Sequence, residues 1–189
     1  GKIKMKKLED ILNFSKLLNK FREVERVQTI PNSDRRENSV EHSYQLAMLA
    51  WYIVDTNKLS LDKNLILQYA LVHDFVEIYA GDTYAFSKKE SEYSTQKQRE
   101  HEAYLRLKNE YNDFNDLHSL IEKYETKEDK ESKFVHVLDK IQAHINVYLE
   151  DGKSWKRLDV TLQMIIENKN KNKLSISPEI EFYFNEFVA

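Results

Sequence analysis

The sequence predicts an all-α fold, a single-domain helical bundle, and three observations carry that expectation. Three glycines and two prolines in 189 residues leave too little turn punctuation for a sheet protein. Apolar residues recur at helical spacing through most of the chain. No apolar run approaches the length that a bilayer span needs, while 41% hydrophobic and 32% charged residues describe a well-solvated chain. A length of 189 residues suits one domain with a substantial core. The expected limits are 1–189, with a motif-bearing core over about 20–150 and C-terminal helices over 151–189.

The elements follow in order. Leu8, Ile11, Leu12, Phe14, Leu17, Leu18 and Phe21 fall close to i, i+3, i+4, i+7, an amphipathic helix over 8–22. Residues 23–39 turn polar, and Pro31, Asn32, Ser33 and Asp34 mark a loop that carries Arg26, Arg35 and Arg36. Arginine is the preferred fork for phosphate oxygens, although loop arginines are usually only solvated. Asn38 or Ser39 caps a helix through Val40, Tyr44, Ala47, Leu49, Trp51 and Val54, with Glu41 and His42 in its first turn. After a turn at Asn57 to Asp62, one uninterrupted helix is expected from about Asp62 to Ala80, closed by Gly81 as a left-handed residue. Residues 83–96 form a polar connection, with Lys88 and Lys89, long enough for a lid and equally fit to be a solvated loop. Further helical patterns surround Ala103 to Phe114, Leu117 to Tyr124, Phe134 to Tyr148, Trp155 to Ile166 and Ile180 to Val188, and Lys127 to Lys133 is a charge-dense link. Phe184, Phe187 and Val188 are expected to pack on the core or on a second subunit.

Composition narrows the chemistry. Without cysteine there are no disulfides and no thiolate zinc site, so a metal ion must be held by His, Asp or Glu. A net charge of −3 gives no basic field for a nucleic-acid backbone, and a polymer is not an expected partner. Nothing near Gly1 has the basic-then-apolar layout of a signal peptide, so a cytoplasmic location is expected and a membrane is not.

The stretch LVHDFVEIYAGD, Leu71 to Asp82, gathers His73, Asp74, Glu77 and Asp82. On a continuous helix Glu77 would share a face with His73 and Asp74. Buried unpaired, such acids are costly, so they either hold a cation or are hydrogen-bonded to neighbours. His42, His73, Asp74 and Asp139 lie on three separate expected helices, as metal sites inside bundles often do. Mixed imidazole and carboxylate ligation suits one divalent ion of the Mn, Fe, Co or Ni type, with Zn also fitting. Two open positions on such an ion suit a water and a phosphate oxygen, which is hydrolytic chemistry. No glycine-rich phosphate loop or thiol nucleophile competes with that reading. The remaining histidines, His101, His118, His136 and His144, could serve a second ion but stand in no clear ligand spacing, and most of them are expected at the surface.

These residues resemble the HD-domain metal-dependent phosphohydrolases, whose pattern is H…HD…D, and are most similar to the YfbR-like 5'-deoxynucleotidase branch. The likeness rests on ENSVEHS around His42, HDFVE followed by GD, and LDKIQA around Asp139. It implies an all-helical, often dimeric enzyme that removes phosphate from deoxynucleoside 5'-monophosphates. It also implies that Glu77 assists proton transfer or water activation and that Asp82 contacts the sugar or positions the water. Arg26, after a one-residue shift, and Lys88 would steady the phosphate. Where the family commonly has a tryptophan after the loop arginine, this chain has Val27, Gln28 and Thr29, and TYAF follows Asp82 without prolines. Weaker discrimination between deoxyribose and ribose is the expected consequence. Two rivals keep the same fold: a triphosphohydrolase releasing a longer polyphosphate, and a nucleotide-binding module without turnover.

Overall fold

Two buried clusters organise the chain in a computed structural model that describes residues 3–82, 90–171 and 173–189. The helices are α1 (Leu8–Phe21), α2 (Ser39–Thr56), α3 (Lys63–Val72), α4 (Glu77–Ala80), α5 (Glu90–Glu110), α6 (Asn115–Thr126), α7 (Lys130–Leu149), α8 (Lys153–Arg157), α9 (Leu162–Lys171) and α10 (Pro178–Val188). Two short strands, β1 (Glu25–Thr29) and β2 (Arg36–Asn38), pair antiparallel between α1 and α2. The fold is all-α, as expected, with this hairpin as its one addition among the described residues. No described helix is long and apolar enough to cross a membrane.

The larger core joins Leu46, Ala50 and Val54 of α2, Ile66 and Tyr69 of α3, and Phe134, Leu138 and Ile141 of α7. Ile165, Leu174, Ile180 and Phe184 bring the C-terminal elements onto the same core. The smaller core holds Leu17, Phe21, Phe75, Ile78, Leu107 and Leu117, with Phe21 edge-on to Phe75 at 5.5 Å. Each such side chain, once buried, contributes roughly 1.5–3 kcal/mol. The chain therefore crosses from one core to the other between Ala70 and Phe75, and His73 and Asp74 sit in that crossing.

This crossing corrects the expectation of one helix from Asp62 to Ala80. Helix α3 ends at Val72, and α4 starts at Glu77 after a turn. Phe75 N–H reaches the Val72 carbonyl and Glu77 N–H the Asp74 carbonyl, tight three-residue bonds in place of the helical ladder. Gly81 ends α4 with φ +76°, a backbone setting that favours glycine.

The polar stretch 23–39 is likewise not all loop. Arg36 pairs with Thr29 and Asn38 with Glu25 across an irregular register, and Asn32 makes the turn at φ 62°. Two strands alone are marginal. Arg157 donates to the Val27 carbonyl at 3.1 Å, and Ser39 N–H to the Val24 carbonyl at 2.9 Å, which fastens the hairpin to the bundle.

Elsewhere, the pattern at Trp155 to Ile166 divides into α8 and α9, with Asp159 at φ 52° between them. The link after α6 shortens to Lys127–Asp129 because Asp129 and Ser132 form a capping box on α7. Residues 90–96 of the expected lid belong to α5, while 83–89, including Lys88 and Lys89, lie outside the described residues. Phe184 is buried, and the side chains of Phe187 and Val188 lie outside the described set.

Candidate metal centre

Three elements deliver the four candidate ligands. Asn38 accepts from Glu41 N–H while the Glu41 carboxylate accepts from Asn38 N–H, a capping box that fixes the start of α2 and so places His42. The turn after α3 presents His73 and Asp74, and α7 presents Asp139 from an otherwise apolar stretch. His42 Nε2 lies 2.7 Å from Asp139 Oδ1 and 3.9 Å from Asp74 Oδ2. His73 Nε2 lies 3.0 Å from Asp74 Oδ2 and 3.6 Å from Asp139 Oδ1. His42, His73 and Asp139 offer ligand atoms all within 4.8 Å of one another.

The donor set fits a divalent cation. The Nδ1–H of His73 donates to the Ala70 carbonyl at 2.7 Å, which leaves Nε2 as the nitrogen that an ion would take. That Nε2 is buried without a hydrogen-bond partner among the described residues. A buried, unpaired ring nitrogen beside two carboxylates is what an ion would satisfy. With imidazole and carboxylate donors and no thiolate, Mn, Fe, Co, Ni and Zn all suit the site.

The electrostatics are correspondingly split. Burial pulls the His73 imidazole down, but the Asp74 and Asp139 carboxylates outweigh it and push the ring up to about 10. Burial would raise Asp74, yet the His73 ring beside it holds the carboxyl below the usual range. Asp139 is held low against burial by Lys140, whose Nζ donates to Oδ2 at 3.1 Å, and by the two histidines. Glu77 goes the other way, because burial and the neighbouring Asp74 and Asp82 charges push its carboxyl well above the ordinary value. Ser39 Oγ donates to Glu77 Oε2 at 3.1 Å, so that carboxyl is fixed in place.

A cavity of about 320 Å³ opens over these residues. Asp74, Glu77, Asp82 and Asp139 lie along it, and Arg26, Val27, Lys127 and Lys140 supply part of its wall. Arg26 is tied at 3.2 Å to Asp74 and at 3.2 Å to Glu37. Burial opposes its charge, and the surrounding carboxylates outweigh that and keep it protonated. Six of the eight residues singled out from sequence thus line one cavity, His42 stands behind it against Asp139, and Lys88 lies outside the described residues. Arg35 pairs instead with Glu41 at 2.8 Å.

Sequence reasoning missed Glu37, Ser39, Tyr124 and Lys140. Glu37, 5% exposed, is pushed up to about 7 by burial against the pull of Arg26. In the run RREN it reads as one more charge, yet in β2 it is buried against Arg26 and the His42 ring. Tyr124 stands edge-on to His73 at 6.0 Å. The surface placement of the remaining histidines is corrected for two. His118 donates to the Tyr111 carbonyl at 2.8 Å, and His144 to the Lys140 carbonyl at 2.7 Å between Trp155 and Phe184. Both are buried, whereas His101 is exposed.

With that geometry in place, comparison with known proteins is informative. None of the curated proteins matches the chain significantly. Among solved structures, it is similar to a crystal structure described as a predicted metal-dependent phosphohydrolase from Magnetospirillum magnetotacticum MS-1. The TM-score is 0.78 at 24% identity, over 96% of this chain and 92% of that one. A conserved hypothetical protein from Pyrococcus furiosus aligns with TM-score 0.59 at 21% identity, over 94% and 96% of the two chains. At those identities the likeness is one of fold. The family model for the HD domain matches residues 18–181, which takes in every candidate ligand and nearly the whole bundle. On that match, the chain belongs to the HD-domain family.

Proposed function

We propose that this chain is a metal-dependent phosphohydrolase that removes phosphate from deoxynucleoside or ribonucleoside 5'-monophosphates, close to the 5'-deoxynucleotidase branch. The observation that carries the reading is the unpaired His73 Nε2 among His42, Asp74 and Asp139 at the edge of a cavity walled by both acids and cations. A volume of about 320 Å³ suits a small ligand better than a polymer. The solved relative described as a phosphohydrolase and the motif likeness over HDFVE, GD and LDKIQA point the same way.

His42, His73, Asp74 and Asp139 would hold one divalent ion. Such an ion supplies Lewis acidity toward a phosphoryl oxygen and makes water in its coordination sphere more acidic. Glu77 holds or moves the proton. Its carboxyl and that of Asp74 are pushed apart by their surroundings, the arrangement that separates an acid-base group from a permanently ionised one. Ser39 keeps it aimed. Arg26, already charged and in the cavity wall, meets the phosphate, and Lys88 is given the same task by the motif likeness. Asp82 faces the sugar or the water, and Val27 offers the sugar an aliphatic contact in place of an indole.

Incubating metal-loaded protein with nucleoside mono-, di- and triphosphates and identifying the products tests this reading. Release of inorganic phosphate from monophosphates supports it. Release of a longer polyphosphate from triphosphates would replace it with the triphosphohydrolase, and binding without turnover would leave a nucleotide-binding module.

A further inference from the structure

Glu37 has no place in the ligand set or in the proton step, yet it is the carboxylate behind His42. The two edges of the His42 ring face different partners. Nε2 is hydrogen-bonded to Asp139 Oδ1 at 2.7 Å and lies 3.9 Å from Asp74 Oδ2, the side an ion would take over. Nδ1 faces Glu37 Oε2 at 3.6 Å, an ion-pair separation just beyond a hydrogen bond. We propose that Glu37 is a positioning residue for the ion: when Nε2 of His42 gives up its contact with Asp139 to an ion, Glu37 accepts the Nδ1–H and holds that tautomer, and it ties the ring to Arg26. This rests on the metal site proposed above.

Three observations support the assignment. First, His73 already shows the same design, since its Nδ1–H is held by the Ala70 carbonyl and its Nε2 is left open. Each imidazole on an ion needs one open nitrogen, and a carboxylate or carbonyl behind the ring is the usual device for choosing it. The rings of His42 and His73 stand 5.2 Å apart, close enough to serve one centre. Second, the Glu37 side chain is 6% exposed, and a buried carboxylate is costly unless its oxygens are paired. Both cationic neighbours converge on Oε2, Arg26 Nε at 3.2 Å and His42 Nδ1 at 3.6 Å, so the charge of the carboxylate is met by ion pairing on one oxygen. Third, charge balance for Arg26 alone does not require Glu37, because Asp74 Oδ2 is also 3.2 Å from the guanidinium. Glu37 sits in β2, one residue before the Asn38 cap, so the hairpin and the start of α2 deliver it together.

The test compares wild type, Glu37→Gln and Glu37→Asp by titration with Mn²⁺, reading free ion by electron paramagnetic resonance, and records the melting temperature of each. Glu37→Gln should bind the ion about 10–100-fold more weakly. Glu37→Asp, which keeps the charge, should recover much of that loss. A folded Glu37→Gln protein with wild-type affinity would overturn the inference while leaving the metal site standing, whereas wild type that binds no ion would overturn the metal site itself. Nitrogen NMR of zinc-loaded wild type gives an answer that needs no variant. A proton on His42 Nδ1 is expected, and one on Nε2 would contradict the assignment.

Discussion

Asp74 and Glu77 are separated by one turn of chain, and their environments push them in opposite directions. The His73 ring holds the Asp74 carboxyl low, whereas burial and the neighbouring charges push the Glu77 carboxyl well up. Glu77→Gln mimics the protonated form and can still accept from Ser39, so it should keep the metal and the melting temperature. Turnover should fall about 10²–10⁴-fold, the usual worth of general acid-base assistance. Near-normal turnover with a lowered melting temperature would instead make Glu77 a structural group. A second outcome follows from His73, pushed up to about 10 by its two carboxylates. An ion must displace that proton, so affinity falls as the pH drops, by about tenfold per unit for one displaced proton. Calorimetry with Mn²⁺ at pH 6 and pH 8 checks the sign. The residues that meet at the site were legible in sequence because their types and order match a known pattern, while Lys88 lies outside the described residues. Glu37 and Ser39 were not, because nothing but the hairpin and the α2 cap turns them inward.

The elements were legible wherever one face meets one core. Helices α2 and α7 each bury a stripe with helical spacing, whereas α1 buries only Leu17 and Phe21 and leaves Leu8, Ile11, Leu12 and Leu18 exposed, and the limits of all three lie near those expected. The break between α3 and α4 was hidden because no glycine or proline marks it. It is imposed by tertiary packing, since Tyr69 and Ala70 belong to the larger core and Phe75 and Ile78 to the smaller. That break is what brings His73 and Asp74 off the helix and into the site. The capping box at Asn38 is a second element on which the site depends. Asn38→Ala should cost about 1 kcal/mol of stability, read as a lower urea midpoint. An unchanged midpoint would mean that tertiary contacts alone hold the start of α2.

Over the whole molecule, the sequence showed an all-helical bundle but not the small hairpin, whose strands are too short to reveal alternation. We also propose that the molecule works as a homodimer, and α2 has a face that suits this. Tyr44, Met48, Trp51 and Tyr52 recur at helical spacing and are 65%, 45%, 46% and 67% exposed. Aromatic side chains bury about 150–250 Å² each, enough to form the centre of an interface of about 800 Å² per partner. Light scattering should give the mass of two chains for wild type and of one for Trp51→Glu. A monomeric wild type would remove the proposal.

The claim on which the rest depends is that His42, His73, Asp74 and Asp139 hold one divalent ion. Elemental analysis after loading with Mn²⁺ and removal of excess tests it most directly, on wild type, His73→Ala and Asp74→Ala, with circular dichroism to confirm that each is folded. One ion per chain in wild type and none in either folded variant is the expected result. Full occupancy in both variants would show that these residues are not ligands.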